Sequence, residues 1–388
     1  MRKSYNHGMR ATVAYIYTEH LRHNLREVRG RIAPRTKMCV AVKADAYGHG
    51  AVACAKIAVE EGADFLAVAA VSEGAELRAA GIDVPVLLLS LCQPDEMDEL
   101  VANDLTPLVC DADYGDAVAR AVRRAGRQGY AVHLAVDTGM GRIGCYPRDA
   151  AALAGHIVGT GALALGGMCT HFAVSDSPAP DDKTYTDEQF SRFSQAIAAV
   201  RAAGIDPGIC HCCNSAATLE RPECHLDMVR PGIIVYGYYP DGKPRAYYER
   251  RGIPIDLRPV MALVTKVAAV RPLERGMSVS YGRTWTAERD TTLGVLPVGY
   301  ADGLFRRFAP VMRVGVNGKP YPIRGRICMD QCMIDLGADA VERWSAAVLF
   351  GPKESGAAQS AQELADATGT ISYEITRAIT RRVPRLYL

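Results

Sequence analysis

Lys43 stands where a run of apolar and β-branched residues, Met38 to Val42, gives way to Ala44-Asp45-Ala46-Tyr47-Gly48-His49-Gly50. A strand that breaks into a Gly-His-Gly turn leaves its last side chain beside apolar strand ends, partly stripped of water. Desolvation favours the neutral amine, and a neutral amine is a nucleophile able to form a Schiff base. A lone lysine at a strand end more commonly reaches past its stem to water, so the position alone decides nothing. Other reactive types follow along the chain: Asp137-Thr138-Gly139-Met140-Gly141-Arg142, His171, Cys210-His211-Cys212-Cys213-Asn214-Ser215, Arg230-Pro231-Gly232-Ile233 and Ser278-Val279-Ser280-Tyr281-Gly282. The Cys-His-Cys-Cys run suggests zinc at first sight. Adjacent strand residues point to opposite faces, however, and no second ligand pair stands at finger spacing, so no metal is expected.

These residues need a scaffold that brings distant positions together. Short apolar runs at 38–43, 64–69, 84–89, 105–110, 130–136, 163–170, 207–213 and 226–235 alternate with helical segments such as Ala51–Glu61 and Asp187–Ala203. Near-continuous apolar strands separated by helices argue for a parallel sheet covered by helices, and eight repeats for a closed (β/α)8 TIM barrel over 12–248. In such barrels chemistry sits on the loops after the strands. Lys43, Arg142, His171, Asn214 and Ser215 fall at or after strand ends and Arg230 lies in the eighth run, so one mouth would collect them. From 249 to 388 the pattern becomes β-rich, with Asn317-Gly318 as a tight-hairpin signal, and predicts a C-terminal all-β domain. Ser360–Gly369 reads as a surface helix on it, and residues 1–11, within a candidate strand Tyr5–Ile16, are expected to join it.

Composition narrows the class. A chain of 388 residues with 49% apolar content has room for two cores. A net charge of +2 without basic runs lacks the footprint of a nucleic-acid binder. No apolar stretch approaches the roughly 20 residues of a membrane span, and Tyr5-Asn6-His7 interrupts any secretory core, so a cytoplasmic location is expected. The 12 cysteines lie mostly inside apolar runs and read as reduced core thiols.

Taken together, the Lys43 segment, Asp137–Arg142, Arg230–Ile233, Ser278–Gly282 and Cys328-Met329-Asp330 resemble, in order, the motifs of the alanine racemase family, from Leu21-Arg22-His23-Asn24-Leu25 to Arg382-Val383-Pro384-Arg385. The resemblance implies a pyridoxal 5'-phosphate (PLP) enzyme with a barrel, a C-terminal β-domain and active sites shared across a homodimer. Lys43 is then the lysine that carries PLP. Tyr47, Asn214, Ser215, Gly232, Ile233 and Tyr373 are cofactor-binding, with Ser215 and the N–H groups of Gly232 and Ile233 as phosphate donors, and His171 stacks on the cofactor. Arg230 resembles the arginine facing the pyridine nitrogen. A guanidinium does not readily give up a proton, so that nitrogen stays unprotonated and the cofactor is a weaker electron sink with fewer side reactions. His211 resembles the arginine-orienting histidine and would complete a chain Arg230–His211–Tyr281.

Racemisation takes a proton from one face of Cα and returns one to the other, which needs two acid/base groups. The resemblance assigns Lys43 to the D-enantiomer's proton and Tyr281, from the partner subunit, to the L-enantiomer's. A phenol, with an ordinary pKa of about 10, is a poor base at neutrality unless cations such as His211 and Arg230 lie close. Arg142 and the backbone N–H of Met329 would bind the substrate carboxylate, and Tyr300, Arg306, Arg326 and Asp330 would line the access corridor. One position departs from the pattern. Many family members carry a carbamylated lysine two residues before the Asp-Thr-Gly aspartate, and here that residue is Ala135. A halide, ordered water or a neighbouring side chain would then have to orient Arg142.

The reaction so implied interconverts L-alanine and D-alanine, supplying D-alanine for peptidoglycan precursors in a host that makes them. A serine or broad-specificity racemase is the near alternative, although the ring of Tyr373 would favour a small side chain. A non-catalytic PLP-binding protein is the alternative from another class, and the β-domain with Tyr281 and Met329 argues against it. A decarboxylase on the same barrel would be expected to carry other signature residues in its β-domain.

Overall fold

The computed structural model describes residues 10–240 and 243–388. Eight parallel strands form a ring: Lys37–Ala41, Phe65–Val68, Val86–Leu88, Leu105–Val109, Tyr130–Ala135, Leu163–Cys169, Ile209–His211 and Met228–Val229. The first pairs with both the second and the last, so the sheet curls back on itself. At the seam between the seventh and eighth, the N–H groups of Asp227 and Arg230 donate to the carbonyls of Cys210 and Cys213. The barrel expected from the alternation is present.

The two-residue period of a strand decides what faces where. Cys39 joins an inner cluster with Phe65, Ala67, Leu87, Leu108, Ala135, Cys169 and Met228, while Met38, Val40 and Val42 pack outward under the helices. Lys43 continues the inner row. On the first outer helix, Thr18–Arg29, Leu21, Leu25 and Val28 are buried at helical spacing. Asn24 on that face is buried but satisfied: its Nδ2 donates to the carbonyls of Val235 (3.1 Å) and Arg258 (2.8 Å), and its Oδ1 accepts from Arg258 N (2.8 Å). One amide thus pins the first helix to the segment leaving the barrel.

The eighth strand is much shorter than the run 226–235. Only Met228–Val229 is strand, Pro231 supplies no ladder donor, and Ile233–Tyr236 forms a 3-10 turn. A buried apolar run does not by itself separate strand from buried turn.

The remaining strands build the C-terminal β-domain. Its six-stranded sheet contains Met261–Lys266, Arg313–Val316, Lys319–Pro322, Ala346–Phe350, Arg385–Tyr387 and the N-terminal Val13–Ile16, which lies antiparallel to the first and parallel to the fifth of these. Residues 1–9 of the expected N-terminal strand lie outside the described residues. Ala269–Leu273, Thr291–Leu296 and Cys332–Gly337 form a second sheet. Asn317 (φ 50°) and Gly318 (φ 77°) make the hairpin turn read from sequence. Ser360 and Glu363 cap helix Ala361–Thr368 reciprocally, and left-handed Gly369 ends it. A further helix, Ser372–Arg377, carries no sequence signal, because six residues are too few to show a helical period. Among the described residues no helix is long and apolar enough to cross a membrane, and all twelve cysteines are free thiols.

Candidate active site

Lys43 opens an unusual turn. Ala44, Asp45, Ala46 and Tyr47 all have φ between 51° and 57°, a left-handed stretch that costs non-glycine residues about 1–2 kcal/mol each. Contacts from both domains hold it. Glu73 accepts hydrogen bonds from Ala44 N (2.6 Å) and Ala69 N (2.8 Å), and Asp45 accepts from Ala51 N (2.9 Å). Arg385 Nε donates to the carbonyl of Gly48 (3.0 Å). Gly48 itself lies so close to helix Ser372–Arg377 that a Cβ would fall 2.3 Å from the Thr376 carbonyl oxygen.

The turn aims Lys43 into a cavity of about 230 Å³ at the C-terminal ends of the strands. Arg142, Thr170, His171 and Arg230 share its lining with apolar Leu89, Leu108, Ala135 and Ile143. Among the described residues no carboxylate and no β-domain residue lines it. Burial, then the positive charges of Arg142 and Arg230, lowers the Lys43 pKa, with Glu73 pulling the other way. Burial and the charges of Arg230, Arg142 and Lys43 push His171 down to about 3, so this ring is neutral. An amine of lowered pKa beside fixed cations is suited to bind an anionic substrate and to exchange a proton with it.

Arg230 is buried, and both of its terminal nitrogens have partners on the protein side. Nη1 meets His211 Nδ1 at 2.5 Å, and Nη2 donates to the carbonyls of Thr170 (2.8 Å) and Cys212 (3.2 Å) and meets His171 Nδ1 at 3.3 Å. His211 has no ring nitrogen left over for the expected chain from Arg230 to Tyr281. His211 turns its other nitrogen into the barrel, 2.8 Å from His133 Nδ1. Nor is His211 a cation: burial first, then Arg230, holds its pKa well below the usual value. The histidine that joins Arg230 to the cavity is His171.

A second group of expected residues gathers beside the turn. Ser215 Oγ accepts from Gly232 N at 2.9 Å, and Ile233 opens a 3-10 turn, where first-turn N–H groups have no internal acceptor. The Tyr47 ring lies 5.8 Å from Tyr373 and 5.0 Å from Tyr236. A Cβ on Gly232 would fall 2.7 Å from the Tyr47 hydroxyl, so the absence of a side chain there keeps a polar cradle open. Hydroxyls of Ser215 and Tyr47 with backbone donors suit a phosphate. Asn214 supports the cradle from behind, its Oδ1 accepting from Ser175 Oγ (2.9 Å) and Ala217 N (3.1 Å).

The β-domain residues form a separate face. Tyr281 rides the tip of the hairpin Ser278–Thr286, 71% exposed, with Ser280 at φ 66°. Ser280 Oγ donates to the Arg326 carbonyl (2.6 Å) and meets Cys328 Sγ at 3.4 Å, while Tyr300 N donates to the Cys328 carbonyl (3.1 Å). Tyr281, Arg326, Met329 and Tyr300 thus share one surface, with Met329 52% and Tyr300 40% exposed. Asp330 pairs with Arg382 at 2.6 Å, and Arg306 is exposed on its own short turn. Sequence reasoning overlooked Glu73, Thr170 and His133. Only Glu73 left a sequence signal, as an acid in the first turn of the helix after a strand.

A barrel enzyme with a desolvated lysine, two arginines at its mouth and a phosphate cradle is the class that fold and site define. Residues 16–240 match the family alanine racemase, N-terminal domain, and 260–387 match alanine racemase, C-terminal domain. The alanine racemase of Treponema denticola is 46% identical over 98% of this chain and 99% of its own, and that of Treponema pallidum 42% over 98% and 100%. The crystal structure of alanine racemase from Streptomyces lavendulae superposes with a TM-score of 0.89 at 38% identity, covering 98% of this chain and 97% of that one. The chain belongs to the alanine racemase family, and is an isomerase.

Proposed function

We propose that the chain interconverts L-alanine and D-alanine with PLP on Lys43, and that two copies share each active site. The observation that carries this reading is the convergence of Lys43, Arg142, His171 and Arg230 on one cavity beside the Ser215, Gly232 and Tyr47 cradle. The cradle would take the phosphate, and Arg230, a pure donor, would hold the ring nitrogen unprotonated. When bound, PLP supplies the electron-withdrawing system that acidifies the substrate Cα–H. Arg142 orients the substrate carboxylate, and the backbone N–H of Met329 from the other copy assists.

Lys43, its pKa lowered by burial and by the charges of Arg142 and Arg230, would move the proton on the D side. Tyr281 serves the L side from the partner subunit. The exposed tip carrying Tyr281, together with a cavity lined, among the described residues, by barrel residues alone, supports the sharing of sites. Asp330, Arg326, Arg306 and Tyr300 would flank the substrate's way in.

The test follows solvent deuterium into the α-position from each enantiomer of alanine, with cofactor absorbance recorded on the same sample. Wild type should incorporate label from both. Tyr281→Ala should lose mainly conversion of L to D, and equal residual rates in both directions would overturn the two-sided assignment. Cofactor absorbance without α-exchange would favour the non-catalytic carrier.

A further inference from the structure

The contact path from Arg230 into the barrel has a direction. A guanidinium has donors only, so His211 Nδ1, 2.5 Å from Nη1, must accept. A neutral imidazole that accepts on one nitrogen bears its proton on the other, and His211 Nε2 therefore donates to His133 Nδ1 at 2.8 Å. By the same logic His133 carries its proton on Nε2. Burial keeps both rings neutral, pushing His133 down to about 4. His133 also lines a cavity of about 370 Å³ at the N-terminal ends of the strands, opposite the Lys43 mouth.

The neighbouring strand is shaped around this ring. Along Tyr130–Ala135 and Leu163–Cys169, Val132 faces Leu165 but His133 faces Gly167, so Gly166 is bulged out of register. A Cβ on Gly167 would fall 2.7 Å from His133 Cε1 and 2.8 Å from its Nδ1. Only glycine leaves room for the imidazole to cross to His211.

We propose that His133 is a positioning residue for the reaction: through His211 it fixes the tautomer and orientation of the group that braces Arg230, and the Gly166-Gly167 bulge admits it. This rests on the reading that Arg230 faces the cofactor ring. Without an acceptor at 133, the His211 Nε2–H is buried and unpaired. Moving that proton to Nδ1 relieves the loss but sets donor against donor at Arg230, which must then shift.

The test compares His133→Leu, which removes the acceptor, with His133→Asn, whose amide oxygen can stand near the position of Nδ1. Long-range 1H–15N correlation on histidine-labelled holoprotein should show both wild-type rings protonated at Nε2. His133→Leu should disturb the His211 tautomer, move the cofactor absorption maximum and lower kcat roughly tenfold with KM little changed, and His133→Asn should restore all three. Nδ1 protonation of either wild-type ring overturns the proposal. So does a folded His133→Leu with unaltered absorbance and kcat, or a His133→Asn as impaired as the leucine variant. If wild type neither binds PLP nor racemises alanine, the functional reading fails separately, and the tautomers on that sample still decide whether the relay exists.

Discussion

Ala135 and Gly232 show how much a missing side chain can decide. At Gly232 even one methyl would meet the Tyr47 hydroxyl, so Gly232→Ala should weaken PLP binding at least tenfold, corresponding to roughly 1.4 kcal/mol. Titration of the cofactor-free protein by absorbance measures it, and an unchanged Kd would remove Gly232 from the cradle. At Ala135 the missing group is a negative charge. Among the described residues no carboxylate lines the cavity with Arg142, so a mobile anion is the simplest counter-charge. Replacing chloride by a bulky organic anion in the assay should raise the KM for alanine several-fold, an effect that chloride reverses. A KM indifferent to halide would mean that protein contacts alone orient Arg142.

The turn from Ala44 to Tyr47 depends on its neighbours at the scale of elements. Four left-handed residues in a row do not persist unless packing over-determines them, and here a barrel helix contributes Glu73 while the C-terminal segment contributes Arg385 and the Thr376 backbone. Gly48→Ala would add a Cβ at φ +88° and 2.3 Å from a carbonyl oxygen. It should cost about 2 kcal/mol or more by urea unfolding, with cofactor binding lost alongside, because the same turn aims Lys43. Loss of stability without loss of binding would separate the turn from the site.

Two expectations belong to the whole molecule. If sites are shared, Lys43→Ala and Tyr281→Ala variants, unfolded and refolded together, should regain about a quarter of wild-type L-to-D activity, since half of randomly assorted dimers are mixed and each has one intact site of two. A mixture no better than its parts would place Tyr281 and Lys43 in the same subunit or outside a common site. Acid stability tests the buried imidazoles. His49 and His133 are both held down to about 4 by burial, so between their ordinary value near 6.5 and about 4 the unfolded chain binds protons that the folded chain refuses. Their contribution is present above about 6.5 and lost as pH falls towards 4, and the urea midpoint should drop across that window. A flat midpoint there would mean that these rings can be protonated in place.

The sequence by itself determined the barrel, because alternating apolar runs and helices have few other ways to bury themselves. It also marked Lys43, Arg142 and Arg230 as candidates, because a lysine at a strand end and glycine-flanked cations are local patterns, while their roles came from the resemblance of their motifs to the alanine racemase family. It even carried the Asn317-Gly318 hairpin and the Ser360 cap, whose chemistry lies within a few residues. Only the tertiary structure decided that His211, expected beside Arg230, rests in turn on His133, since these two stand 78 positions apart and meet only because their strands lie on one inner wall. It alone revealed the left-handed turn under Lys43, a conformation that alanine and tyrosine do not choose locally and that contacts from both domains impose. The exposure of Tyr281, too, follows from where the β-domain packs, which no local pattern encodes.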